Sequence, residues 1–352
     1  MLVSIVINNH NYVRYVGEAI DSALAQRRAY PCVQVVVVDD GSTDASREVI
    51  ASYGERIVVV LQPNGGQASA FNAGFAAATG DVIVFLDADD RLHEGAIARI
   101  AAAWHPDLAK LHFRLRVIDA DGRPTGGHMP PAARPLDQGD VRGEILVHGQ
   151  YVTPPTSGNA FARASLAAIL PMPPEPWRIA ADAFLLLQAP FHGHVAALDE
   201  PLGDYRVHGQ NAWYQTGPDL AKITRQLDVD RQKEALIHAV AARHGMVAEA
   251  GLARRNHFHV LNAMAYELLA PRRGRRARLV RLGRDALVAI VRERGRRPLK
   301  RLALAAWTLL VMVLPARPAC TLVVWQLYPA TRPRRYRMAD SQTTGDTRPG
   351  LA

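Results

Sequence analysis

Three aspartates, Asp87, Asp89 and Asp90, fall within four positions of "VIVFLDADDRL" (82–92), directly after five unbroken apolar residues. A short apolar run of this kind marks a strand buried on both faces, so the strand delivers carboxylates to one point. Carboxylates at i and i+2 can turn together toward one hard divalent cation, which takes oxygen ligands and carries substrate phosphates. Asp90 reads instead as an acidic cap of the helix expected near Glu94. A second pair, Asp39 and Asp40, ends "VQVVVV" (33–38) and enters "GSTD", where a plain helix cap is the competing explanation. "NNHN" (8–11) follows the first apolar run, and "NGGQ" (64–67) puts a glycine pair before a helical pattern. Neither of the usual glycine-rich dinucleotide and P-loop fingerprints occurs.

The elements that must hold these residues follow from periodicity. "LVSIVI" (2–7), "VQVVVV" (33–38), "RIVVVL" (56–61) and "VIVFL" (82–86) are short, continuous and β-branched, as expected of strands buried on both faces. Amphipathic patterns separate them at 12–26, 43–54 and 67–80. Regular alternation of strand and helix predicts a doubly wound, mainly parallel sheet with helices on both faces. Ligands bind such sheets beyond the carboxyl ends of the strands, which is where all four polar motifs fall. After 110–126 the alternation fades into Pro-rich loops, short helices at 164–170 and 180–193, a strand and loop at 194–211, and helix from 219 to 270, closed by Pro271.

Composition bounds the class. The chain has 352 residues, 49% hydrophobic, which is enough for a sizeable core. Its two cysteines, Cys32 and Cys320, form neither a disulfide framework nor a zinc motif, and a reducing compartment is expected. "MLVSIVI" runs into polar "NNHNY" rather than a cleavage site, so no secretory signal is expected. The net charge of +9 divides unevenly: residues 271–339 hold 18 Lys and Arg against two acids, while residues 1–270 sum to −6.

Taken together, "VSIVINNHNYVRYVGEAIDSALAQ", "VVVVDDGSTDASREVI" and "NGGQASAFNAGFAAATGDVIVFLDADD" resemble the family 2 glycosyltransferases in motif order, spacing and strand placement across about residues 1–120. The resemblance weakens to about residue 211 and does not cover the C-terminal part. It implies the GT-A (Rossmann-like) α/β fold and inverting transfer of a hexosyl-type sugar from a nucleotide-diphospho donor (UDP-, dTDP- or GDP-linked) to a hydroxyl of a saccharide or lipid-linked acceptor. Cell-envelope, exopolysaccharide or glycolipid synthesis is the implied setting. The matching positions assign Asp39 or Asp40 to the base or ribose and Asn8 and Asn9 to the loop bordering the nucleoside. Gln67 and Asn72 fall where the family lines donor sugar and ribose. Asp87 and Asp89 match the DxD pair that faces Mn2+ or Mg2+ and the diphosphate.

An inverting enzyme needs a carboxylate to take the acceptor proton. Relatives often offer a Glu-Asp pair opening a late helix. Here Ala181 replaces the glutamate, leaving Asp182 as the expected base against the plainer reading of a helix-terminal acid. In "YRVHGQN" (205–211), which recurs in relatives, Arg206 is a candidate counter-charge for the phosphates and His208 for the metal.

The basic segment precedes "LALAAWTLLVMVL" (302–314), which is too short for the roughly 30 Å of bilayer hydrocarbon. An interfacial anchor on anionic lipid, with Trp307, Trp325 and Tyr328 at headgroup depth, competes with a helical hairpin packed on the protein. Aromatic residues are not interleaved within the Arg-rich part, so no nucleic acid is expected. The expected organisation is a GT-A domain over 1–215, divided into a nucleotide-sugar half (1–120) and an acceptor-side half (121–215). A helical extension (216–270), a basic, apolar membrane-associating helical segment (271–339) and a disordered tail (340–352) follow. The expected location is peripheral or monotopic on the cytoplasmic face of the inner membrane. A GT-A-like nucleotidyltransferase and a non-catalytic membrane or nucleic-acid binding module remain the alternatives.

Overall fold

The computed structural model describes residues 1–209, 211, 217–270, 274–292, 298–328 and 331–333. The expectations for the tail at 340–352 and for Pro271 as a helix stop fall outside these residues. The strands are β1 (Val3–Asn9), β2 (Val33–Asp40), β3 (Val58–Gln62), β4 (Val82–Asp87), β5 (Arg91–Leu92), β6 (Leu108–Ile118), β7 (Pro124–Met129), β8 (Asn159–Ala162) and β9 (His194–Arg206). Helices α1 (Val16–Ala25), α2 (Ser46–Ala51), α3 (Gln67–Ala77), α4 (Ala96–Ala102), α5 (Arg142–His148), α6 (Arg163–Ala167) and α7 (Ala181–Gln188) lie among them. Six helices follow: α8 (Leu220–Arg243), α9 (Leu252–Arg255), α10 (His257–Leu269), α11 (Arg275–Arg292), α12 (Pro298–Val313) and α13 (Ala316–Leu327).

The strands form one sheet in the order β3-β2-β1-β4-β8-β6-β9-β5, with β7 added to β6. The first four strands are parallel, in unbroken register from Val3 opposite Val33 to Asn9 opposite Asp39. Beyond β4 the sheet is mixed: β8 is antiparallel to β4 and β6, and β9 is parallel to β6. Residues alternate between faces, which explains the continuous apolar runs. Ile5, Ile7, Val35, Val37, Val84 and Leu86 join a buried cluster with Val16, Ile20 and Ala23 of α1 and Ile97 and Ile100 of α4. On the opposite face Phe85 stacks on Phe71 of α3 at 4.3 Å, and a Cβ on Gly74 would stand 2.3 Å from Cγ1 of Val6. Glycine at 74 is therefore what lets α3 lie close on β1.

One strand departs from expectation. β3 is the sheet edge, and Val58, Val59 and Leu61 are 41%, 40% and 58% exposed. A β-branched run reports strand geometry, and the strand's position in the sheet decides its burial.

The chain divides into two compact units, one of residues 1–143 and 151–208, the other of Glu144–Gln150 with the helices after Gly209. In the second unit Ile223, Val260, Met264, Leu279, Val311 and Val323 draw α8, α10, α11, α12 and α13 around one apolar core. Tyr328 is buried and Trp307 packs against this core, so neither stands out as the headgroup anchor expected from the sequence. A different surface is apolar: Leu299, Leu302, Leu309, Leu310 and Val313 of α12 are all exposed, with 299 and 302, and 310 and 313, three apart, 309 and 313 four apart, and 302 and 309 seven apart. Among the described residues no helix is long and apolar enough to cross a membrane.

Candidate active site

Parallel register brings the carboxyl ends of β1, β2 and β4 together, with Asn8 beside Asp87 and Asn9 beside Asp39. Asp39 is buried and accepts bonds from Asn9 Nδ2 (2.9 Å), Ser42 N (3.0 Å) and Arg47 Nε (2.8 Å). Burial alone would raise its pKa, but the bonds from Ser42, Arg47 and Asn9 outweigh it and hold the carboxyl below the usual range. Asp40 turns the other way and accepts from Gln62 Nε2 (2.6 Å), Gly65 N (2.8 Å) and Gly66 N (2.7 Å). Each aspartate of the pair therefore fixes a loop that borders the strand ends. Asn11, which motif reading passed over, ties two loops together: its Oδ1 accepts from Thr43 N (2.7 Å), and its own N–H donates to Ser42 Oγ (2.9 Å). The sequence signal was its place in "NNHN" after the first apolar run; in the structure its φ is 59°, a conformation that Asn tolerates.

At the end of β4 the chain turns, with Asp90 N donating to Asp87 O at 3.0 Å. Asn8 Nδ2 donates to Asp87 Oδ1 at 2.9 Å, and Asp89 Oδ2 lies 2.9 Å from His208 Nε2. Asp90 is not a helix cap. Its carboxylate accepts from Ser157 Oγ (2.6 Å) and Arg206 N (2.8 Å), and it is only 2% exposed. Helix α4 begins later, behind Gly95, which carries no side-chain cap. The chain enters β5 directly after Asp90 and pairs with β9, and that pairing draws the carboxylate inward.

Crowding has an electrostatic consequence. Burial, then the charges of Asp89 and Asp182, push Asp87 up to about 8. Burial with Asp89 and Asp87 also raises Asp90 well above the carboxylate range. Tyr12 and Tyr15 wall the site, their rings 5.7 and 5.2 Å from that of His208, and burial and Asp89 raise the Tyr12 hydroxyl.

Asp182 lies in the first turn of α7, and its charge is felt by Asp87, Lys110 and Tyr205. Sequence spacing alone could not place it near the turn at Asp87–Asp90. Lys110 on β6, also missed, is buried and donates to Tyr151 Oη (2.7 Å) and Thr153 Oγ1 (2.6 Å). Burial lowers its pKa well below the usual value, against the pull of Asp182.

Gln67 and Asn72, expected along the donor sugar, bond to the segment that leads into α7. Gln67 Oε1 accepts from Ala181 N at 3.0 Å, and Asn72 bonds both backbone groups of Met172, at 2.8 and 2.9 Å. Arg206, expected against phosphate, is 2% exposed, and protein acceptors take its guanidinium: Asp89 O (2.8 Å), Ala120 O (3.4 Å) and the carboxylate of Glu18. It props the turn at Asp87–Asp90 from behind. Glu18, which also holds Arg91, gave no motif signal.

Residues 4–111 match the family described as glycosyl transferase family 2. An uncharacterized glycosyltransferase of Nostoc sp. is 40% identical over 217 residues, covering 60% of this chain and 66% of that protein. The chain thus spans just under two thirds of that relative. An uncharacterized glycosyltransferase of Rickettsia typhi is 41% identical over 96 residues, 27% of this chain and 30% of its own. Among solved structures, S. aureus TarS 1–349 in complex with UDP-GlcNAc aligns over 94% of this chain and 91% of its own, with TM-score 0.52 and 16% identity. At that identity the likeness speaks to fold, and the fold is GT-A.

Proposed function

From the premise that residues 4–111 belong to glycosyltransferase family 2, we propose that the protein is an inverting, metal-dependent transferase. It moves a sugar from a nucleotide-diphospho donor to an acceptor hydroxyl. The observation that carries this reading is the gathering of Asp87 and Asp89, at the end of β4, with Asp182 of α7, whose charge raises Asp87. The complex of TarS with UDP-GlcNAc supports a nucleotide-sugar donor on this fold.

The residues fit a divalent cation. Among the described residues no three His, Cys, Asp or Glu side chains form a ready-made cage. A cation that keeps waters and shares substrate phosphates needs only one or two carboxylates from the protein, however. Asp89 and His208 are 2.9 Å apart, and the crowding that pushes Asp87 up to about 8 is what a cation relieves. Asp87, Asp89 and His208 would hold Mn2+ or Mg2+, which when bound neutralises charge on the departing diphosphate.

The protein's own groups do the rest. Asn8 orients Asp87, and Arg206 fixes the turn that carries Asp89 and Asp90. The acceptor oxygen attacks the anomeric carbon opposite the diphosphate, and its proton passes to the Asp182 carboxylate. The bond from the anomeric carbon to the phosphate oxygen breaks, and its electron pair leaves on the nucleoside diphosphate. Asp182→Asn should keep donor binding and lose transfer, and Asp89→Ala should lose metal-dependent donor binding. Normal turnover in the first or unchanged binding in the second would overturn the respective role.

The exposed apolar stripe of α12 supports contact with an anionic membrane surface. Exposed Arg281, Arg284 and Lys300 lie on the same helical hairpin, and 16 residues of helix reach about 24 Å, short of spanning. The location proposed is the cytoplasmic face of the inner membrane, with a saccharide or lipid-linked acceptor in envelope polysaccharide or glycolipid synthesis.

A further inference from the structure

The base proposed above sits two residues beyond a strained position. Ala180 caps α7 with φ 70° and ψ 34°, a left-handed conformation that alanine rarely adopts without support. The support comes from helix α3. Gln67 Oε1 accepts from Ala181 N at 3.0 Å, and the backbone N–H of Gln67 donates to Arg178 O at 2.9 Å. Gln67 thus bonds the chain on both sides of Ala180. Five residues along α3, Asn72 uses both ends of its amide on Met172, donating to its O (2.8 Å) and accepting from its N (2.9 Å). Loop 172–181 is therefore held at two separate points.

The glycine pair belongs to the same device. Gly66 has φ 83°, and a Cβ there would stand 2.4 Å from Cγ and 2.7 Å from O of Arg178. Only glycine allows the loop to lie against α3 at this point. The N–H groups of Gly65 and Gly66 donate to the Asp40 carboxylate at 2.8 and 2.7 Å, so the anchor of the clamp is set by the end of β2.

We propose that Gln67 and Asn72 form a two-point clamp that holds loop 172–181 in its strained shape and so positions the Asp182 carboxylate. Asp40, through Gly65 and Gly66, ties that clamp to the nucleotide side of the sheet. Gln67 and Asn72 are positioning residues, not donor contacts. The inference rests on Asp182 being the base.

The test compares Gln67→Ala, Gln67→Glu, Gln67→Ala/Ala180→Gly, Asn72→Ala and Asp182→Asn in the full chain. Transfer is measured with nucleotide sugar and acceptor, donor affinity by titration, and amide exchange over residues 178–183. Gln67→Ala should lower kcat about tenfold or more, leave donor affinity within about threefold, and speed exchange at 178–183. Gln67→Glu keeps an acceptor for Ala181 N and should recover most of the lost turnover. The double variant should recover part of it, because glycine holds the left-handed conformation unaided. Asn72→Ala should act in the same direction, which covers the case of a poorly folding Gln67→Ala. Wild-type kcat in Gln67→Ala, or a donor affinity that falls in step with kcat, overturns the clamp. Normal turnover in Asp182→Asn overturns the base instead. Exchange at 178–183 then decides the clamp alone: faster in Gln67→Ala upholds it, unchanged overturns it.

Discussion

Asp204 offers a quantitative test of how β9 is fixed against the turn at Asp87–Asp90. Its carboxylate is 0% exposed and accepts from Arg91 Nε (2.6 Å), His93 Nε2 (2.7 Å) and Arg116 Nε (2.8 Å). Arg91 and Asp204 are also directly paired between β5 and β9, so the cluster clips together the strands that flank Asp89 and Arg206. Asp204→Asn leaves one acceptor oxygen and removes the charge that three cationic or ring donors share. Removing one partner of a buried ionic group costs about 3–5 kcal/mol. The guanidinium groups are about a third exposed, and the water they regain lowers the expected loss to about 2–4 kcal/mol.

The loss depends on pH with a definite sign. Burial alone would raise the Asp204 pKa, but bonds from His93, Arg116 and Arg91 hold it far below the carboxylate range. The native carboxyl then stays ionised at pH 3, while the unfolded one, with pKa about 3.9, is mostly protonated. Its contribution is complete above the unfolded pKa and falls as pH drops, by about 1 kcal/mol between pH 7 and pH 3. Urea unfolding, read through amide exchange of β9 peptides, should show the gap between wild type and Asp204→Asn narrowing by that amount. A gap below about 1 kcal/mol at pH 7, or one indifferent to pH, would refute the argument.

Three further outcomes are expected. Divalent cation binding should strengthen from pH 7 to pH 9 and release protons, because the cation favours the ionised form of an Asp87 pushed up to about 8; calorimetry in buffers of different ionisation enthalpy measures it. Lys110→Met should match or exceed wild-type stability at pH 7, by about 1 kcal/mol or more, since a buried amine with a lowered pKa destabilises the fold wherever the unfolded amine is charged. That advantage should shrink toward pH 10, and thermal unfolding against pH is the check. Leu302→Glu with Leu309→Glu should abolish flotation with phosphatidylglycerol vesicles while transfer to a soluble acceptor continues; retained flotation would remove the stripe from the membrane reading.

Much of the N-terminal, parallel part of the sheet is legible in the sequence because its signals are local. A run such as "VQVVVV" specifies a strand, and the parallel connections through α1, α2 and α3 leave the strand ends on one edge. The edge position of β3 was not legible, because nothing within "RIVVVL" records which strand it fails to pair with. Among the site residues, Asp87 and Asp89 stand where spacing puts them. Asp90, Gln67, Asn72 and Arg206 bond to partners far away in the chain, which their motif positions do not reveal.

By itself the sequence determined the type and order of the elements through β4, the polar strand ends, and an acidic part followed by a basic one. These follow from periodicity and composition over windows of ten or so residues. Only the tertiary structure decided which group each carboxylate and amide meets. Asp90 meets Ser157 and Arg206, 67 and 116 residues away, and Gln67 meets Ala181 at a separation of 114. Hydrogen bonds have a reach of about 3 Å, so their partners are fixed by sheet register and helix packing, and no spacing along the chain encodes them.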